Sequence, residues 1–233
     1  MSHLNTSYSP QDNKVQFGSN RDRQILQAIE EHGALCIEQI ADLFFPFRTG
    51  LRKAQERMNV LYASKRVNRV RLGRGSSIYL LGKPNPQLEH LVDSNWLYVW
   101  FSTHLAAWQR FYHWQRELDF GILRCDSFCG IENTITREAR FYFAEMEREA
   151  NKSEFDKPQI YNRLYGEQYA RMSHFGWFKH MSVFPKIYIV VEQESKRQKA
   201  LEVIDRENTN NLRFEVKLLD EIKQEARRYG GIL

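Results

Sequence analysis

Apolar positions between residues 21 and 83 recur at helical spacing three times and then at strand spacing twice. In RDRQILQAIEEHG, Ile25, Leu26 and Ile29 share one helical face and Gly33 supplies a stop. In CIEQIADLFF, Ile37, Ile40, Ala41 and Phe44 fall at i, i+3, i+4 and i+7, which predicts a second, short helix. After PFRTG, Thr49 is placed to cap a third helix whose inner face is Leu51, Ala54, Met58 and Leu61. Its outward face is then Arg52, Lys53, Gln55, Glu56, Arg57 and Asn59. The stretch RVNRVRLGRGSSIYLL gives two β-like runs, 67–72 and 78–81, joined by a Gly-Arg-Gly-Ser-Ser turn. Three helices followed by a hairpin with a basic tip predict an N-terminal winged helix-turn-helix domain over residues 21–83. The twenty residues before it are polar and lack apolar periodicity, so a flexible arm is expected over 1–20.

Beyond GKPNP, where Pro84 and Pro86 mark a linker, the pattern changes, and residues 87–233 read as a second domain. The stretch from 88 to 120 is dense in aromatics. Trp96, Val99 and Trp100, and then Trp108, Phe111 and Tyr112, sit at helical spacing, so a packed helical stripe is expected rather than a platform for unpaired bases. Short apolar runs at 120–124 and 128–131 precede a strand over 140–146. Asp156 with Gln159 forms a capping box for a helix carrying Tyr161, Leu164, Tyr165 and Tyr169. KIYIVVEQ is a β-branched strand, Ser195 with Gln198 is a second capping box, and LRFEVKLL is a last strand. Helix, three strands, helix, strand, helix, strand implies an α/β domain with a partly parallel sheet.

Charge distribution adds more than net charge, which is only +5. Between Arg48 and Arg74 stand nine basic residues and one acid, Glu56, while the remainder of the chain is net acidic. A basic segment on the predicted reading elements is the footprint of a protein that meets phosphate backbones. Arg52, Lys53, Gln55, Arg57 and Asn59 on the third helix and Arg69, Arg71 and Arg74 on the wing are the candidate contacts to double-stranded DNA. Three cysteines, Cys36, Cys125 and Cys129, have no paired spacing and exclude a disulfide framework or a structural zinc site. No apolar run has the length of a membrane span, and the first residues lack a signal-peptide layout, so a cytoplasmic protein with no membrane partner is expected.

The chemistry concentrates in FYFAEMERE. As a strand it places Phe141, Phe143, Glu145 and Glu147 on one side, with the two carboxylates about 6 to 7 Å apart along the backbone. The order of elements, an acid at Asp126 in CDSF and the pair Glu145 and Glu147 resemble the restriction-endonuclease-like fold. With RDRQILQAIEEHGALCIEQIADLFF added, residues 21–219 resemble the replication-relaxation family of plasmids and phages. The resemblance implies that Asp126 and Glu145 hold Mg²⁺ and that a lysine two residues beyond the glutamate assists the attacking water. Glu147 stands in that lysine's place, which leaves Lys152 or Lys157 to reach back. His104, His113, His174 and His180 are scattered and give no relaxase-type pair.

The expectation is therefore a DNA-binding protein of a mobile element, acting in replication or transcription control, with a nuclease-like domain that no longer cuts. Its partners are duplex DNA and a second copy or replication proteins. The alternatives are a Mg²⁺-dependent DNA nuclease with Asp126, Glu145 and Glu147 as catalytic carboxylates, and a protein-interaction module without DNA binding.

Overall fold

The computed structural model describes residues 18–71, 75–148, 155–167 and 173–229. The chain is a mixed α/β protein that divides by its contacts into two compact units. One holds Leu105–Asp220; the other holds the described residues up to His104 together with those from Glu221 onward. Of the expected arm, residues 1–17 lie outside the described residues, and 18–20 open the first helix. The division falls at Leu105 rather than at the Pro84–Pro86 linker, so the helix after the linker groups with the N-terminal elements.

In that N-terminal unit the order is α1 (Gly18–His32), β1 (Leu35–Cys36), α2 (Ile37–Phe44), α3 (Gly50–Ala63), β2 (Asn68–Arg71), β3 (Ser77–Leu80) and α4 (Leu88–His104). The three strands form an antiparallel sheet in the order β1-β3-β2. Ile25, Ile29, Leu35, Ile40, Phe44, Ala54, Met58, Leu61 and Tyr79 close one core, which is why the apolar faces of α1 to α3 are so regular. Gln39 fastens this core to α4. Its Oε1 accepts from the Cys36 N–H at 2.9 Å and its Nε2 donates to the Val92 carbonyl at 2.7 Å, both buried. Asn95 on α4 likewise donates to the His32 and Ala34 carbonyls.

Two local expectations for α3 are corrected. Thr49 occupies the N-cap position without a side-chain capping bond, and Leu51 is 44% exposed, because Gly50 takes the inner place in the first turn. A Cβ at Gly50 would stand 1.9 Å from the Phe45 carbonyl oxygen, so the turn between α2 and α3 requires glycine there.

In the other unit β4 (Gln109–Asp119), β5 (Arg124–Asn133) and β6 (Ala139–Glu147) are followed by α5 (Lys157–Glu167), β7 (Lys186–Val191), α6 (Glu194–Glu207) and β8 (Phe214–Leu218). The five strands lie in sequence order. β4, β5 and β6 run antiparallel, and β6, β7 and β8 run parallel. Phe128, Phe143, Tyr161, Leu164, Trp177, Ile187 and Ile189 pack as one core between sheet and α5. The last helix, α7 (Leu219–Tyr229), returns to the N-terminal unit, where Glu225 accepts from Trp100 Nε1 at 2.7 Å and Lys223 pairs with Asp93 at 3.6 Å.

The aromatic stretch separates at residue 105. Trp96 and Trp100 are buried on α4 as expected, but Phe111 and Tyr112 lie on β4 and Trp108 is 51% exposed, so the second half of the stripe is not helical core. Alternation over QRFYHWQRELD and the β-propensity of aromatics outweigh the accidental i, i+3, i+4 spacing. Residues 120–123 form the tight connection between β4 and β5, with the Phe120 N–H on the Leu123 carbonyl, rather than a strand of their own, and Arg124 opens β5. The second capping box is also displaced: α6 is entered from Gln193, and Ser195 already lies inside it.

Two outcomes follow from this packing. Gly50→Ala drives a methyl into the Phe45 carbonyl and destabilises the N-terminal unit by about 3 kcal/mol, read as a lowered denaturant midpoint at unchanged slope. Asp42 on α2 has a buried Oδ2 without a hydrogen-bond partner, and burial pushes its carboxyl up to about 7, against the opposing charge of Arg227. A raised carboxyl contributes stability that is full below its unfolded value near 3.8 and lost as pH climbs to about 7. Asp42→Asn therefore flattens the decline between pH 4 and 7 and stabilises the protein at pH 8 by about 2 kcal/mol, measured by urea unfolding across that range.

Candidate functional site

The C-terminal end of β6 gathers the acidic residues singled out by the sequence. Glu145 and Glu147 pair in register with Ile189 and Val191 of the parallel strand β7, at the edge where ligands meet open α/β sheets. Asp126 on the antiparallel neighbour β5 is tied to the same place, its Oδ2 accepting from the Met146 N–H at 2.7 Å. The connection from β6 into α5 then carries Lys157 back over the strand. Its Nζ lies 2.9 Å from Glu145 Oε2 and 3.7 Å from Glu147 Oε1. One turn further along α5, the Tyr161 hydroxyl donates to Glu145 Oε1 at 2.5 Å.

Glu145 is 1% exposed, so its charge depends on these two partners. Burial pushes its carboxyl up to about 7, with Asp126 adding to the rise and Lys157 opposing it. Burial works against the Lys157 ammonium, but Glu145, then Glu147 and Asp126, outweigh it and hold the amine above its ordinary value. The result is a cluster of three carboxylates neutralised in part by an internal cation. Arg148, next to Glu147 in the chain, pairs instead with Glu192 at 3.5 Å. Lys152 lies outside the described residues.

A divalent metal here would be held by Asp126 and Glu145. Both Glu145 oxygens are already engaged, and among the described residues no group of three or more His, Cys, Asp or Glu is placed to hold a metal ion.

The basic segment forms a separate site in the N-terminal unit. Ala54, Met58 and Leu61 turn inward from α3, while Arg52, Lys53, Gln55, Glu56 and Asn59 are exposed. Arg57 departs from the sequence reading: its guanidinium makes a two-pronged contact to both carboxylate oxygens of Asp22 on α1, a residue 4% exposed, and Arg66 lies 3.7 Å from the same carboxylate. A buried acid needed a cation, and Arg57 is committed to it rather than to a phosphate. Arg69 on β2 stacks over the Tyr62 ring, 4.3 Å from its centroid, and donates to Asn59 Oδ1 at 3.2 Å. Arg71 approaches Ser77 at 3.4 Å, and Arg74 lies outside the described residues. The sequence reading missed Asp22 and Tyr161. The signal for each was present as an acid or a phenol inside an otherwise apolar helical face.

No protein-family model matches the chain, and no curated protein matches it significantly. Among the described residues no helix is long and apolar enough to cross a membrane, and Cys36, Cys125 and Cys129 are buried free thiols.

Lys157→Met leaves Glu145 buried without its cation and destabilises the protein by about 3 kcal/mol at neutral pH in denaturant unfolding. Added Mn²⁺ recovers part of that loss if the vacated position takes a metal, and none if the cluster serves packing alone.

Proposed function

We propose that the chain is a duplex-DNA-binding protein, of the kind found in the replication-relaxation family of mobile elements, and that α3 is its reading helix. The observation that carries this reading is the division of α3 into an apolar inner face and an outer face of Arg52, Lys53, Gln55 and Asn59. Arg69 and Arg71 stand beside it on the β2–β3 hairpin. The order of helices and strands, with β1 completing the hairpin's sheet, supports a winged helix-turn-helix. In such an arrangement the hairpin arginines fix position on phosphates while α3 meets base edges.

A second reading, a metal-dependent nuclease, is favoured by Lys157. The sequence lacked a lysine beside Glu145, and α5 supplies one within 2.9 Å. The five-stranded sheet in sequence order, antiparallel and then parallel, supports the nuclease-like fold for this unit.

Titration of a fluorescent duplex over a range of salt tests the first reading. Arg52→Ala with Lys53→Ala lowers affinity and reduces the salt slope by about one unit for each phosphate that is no longer neutralised. Arg57→Ala lowers stability first, because it leaves buried Asp22 with only the longer contact to Arg66. Unchanged duplex affinity in the double variant removes α3 as the reader. Cleavage of duplex or single-stranded DNA with Mg²⁺ or Mn²⁺, lost in Glu145→Gln, would establish the second.

A further inference from the structure

Glu56 is the single acid among nine basic residues between Arg48 and Arg74, and it occupies the middle of the outward face. Arg52, Glu56, Asn59 and Ala63 recur at i, i+4, i+7 and i+11 along the line opposite Ala54, Met58 and Leu61, and all four are exposed. Nothing in the core requires a carboxylate there. Its two oxygens are held from within the helix, Oε1 by Arg52 at 2.7 Å and Oε2 by Lys53 at 2.9 Å, and these cations keep the carboxyl below its ordinary value. Such exposed intrahelical pairs are weak and exchange readily for stronger partners.

A carboxylate facing DNA is repelled by phosphates and finds no donor on guanine or thymine in the major groove. Adenine offers an N6 amino group but sets the N7 acceptor beside it, which repels a carboxylate, whereas cytosine offers its N4 amino group, and carboxylate to cytosine N4 is a favoured pairing. Arginine has the complementary preference for guanine O6 and N7. Glu56 stands one turn from Arg52 on the same outward line, so the two side chains can meet neighbouring base edges together.

We propose that Glu56 is a specificity-determining residue of α3, accepting from cytosine N4 while Arg52 donates to guanine, so that the pair selects a site containing adjacent C·G and G·C pairs. The inference rests on α3 being the DNA-reading helix. It makes the acid a filter: Glu56 weakens attraction to indiscriminate backbone and offsets that weakening only where cytosine is presented.

Selection from a randomised duplex pool by the full chain tests this, with wild type, Glu56→Gln and Glu56→Ala compared. Because Glu56 is exposed, both variants fold, which circular dichroism verifies. The expected result is that wild type fixes cytosine at one position, with about tenfold weaker binding when that base is changed. Glu56→Gln moves the preference there to adenine. Glu56→Ala loses it and binds mixed duplex more tightly, since Arg52 and Lys53 are released to phosphates. Identical base preferences in all three proteins, with duplex binding intact, overturn the role of Glu56 and leave α3 as the reader. Failure of wild type to retain any duplex overturns the α3 reading and this inference with it.

Discussion

A carboxylate removed from water must find a cation or shed its charge, and both units of this protein are organised around that constraint. In the Leu105–Asp220 unit Glu145 is buried at the end of β6 and draws Lys157 and Tyr161 from α5 onto it. In the N-terminal unit Asp22 is buried on α1 and draws Arg57 from α3 and Arg66 from beyond it. Each contact joins elements distant in sequence, so each fixes where a helix lies as well as neutralising a charge. Removing either acid's partner leaves a buried charge, which costs more than the pair contributes.

The consequence for function differs between the two. On α3 the structural arginine is turned away from the outward face, and what remains outward is a short arrangement of Arg52, Glu56 and Asn59 with Lys53 and Gln55 beside it. Arg69, braced on Tyr62, steadies Asn59 from the neighbouring strand. On β6 the same rule puts an ammonium among three carboxylates. That arrangement is self-compensated, with Lys157 meeting both Glu145 and Glu147 from α5.

The sequence made the secondary structure of the N-terminal unit legible because its helices are amphipathic and each buries one stripe against a common core. It misplaced Leu51, since first-turn positions sit at the rim of the packed face, and periodicity does not distinguish rim from centre. The stretch from Trp96 to Trp114 misled for a different reason. Aromatics suit a helix face and a strand alike, so a few chance coincidences at helical spacing carried the reading past His104, where only strand pairing with β5 shows that the period has become two.

The sequence alone determined the three amphipathic helices and hairpin of the N-terminal unit, the alternation that puts Glu145 and Glu147 on one side of β6, and the concentration of basic residues from Arg48 to Arg74. These follow from local periodicity and from counting charges. Tertiary structure decided which charges are free. Lys157 stands twelve residues from Glu145, and Asp22 thirty-five from Arg57, separations over which no local pattern constrains the chain. Only the crossover from β6 through α5 to β7, and the common core that α1 and α3 share, bring those groups within bonding distance. That is why the sequence could name Lys157 only as one of two lysines able to reach back to Glu145, and gave no sign that Asp22 takes Arg57.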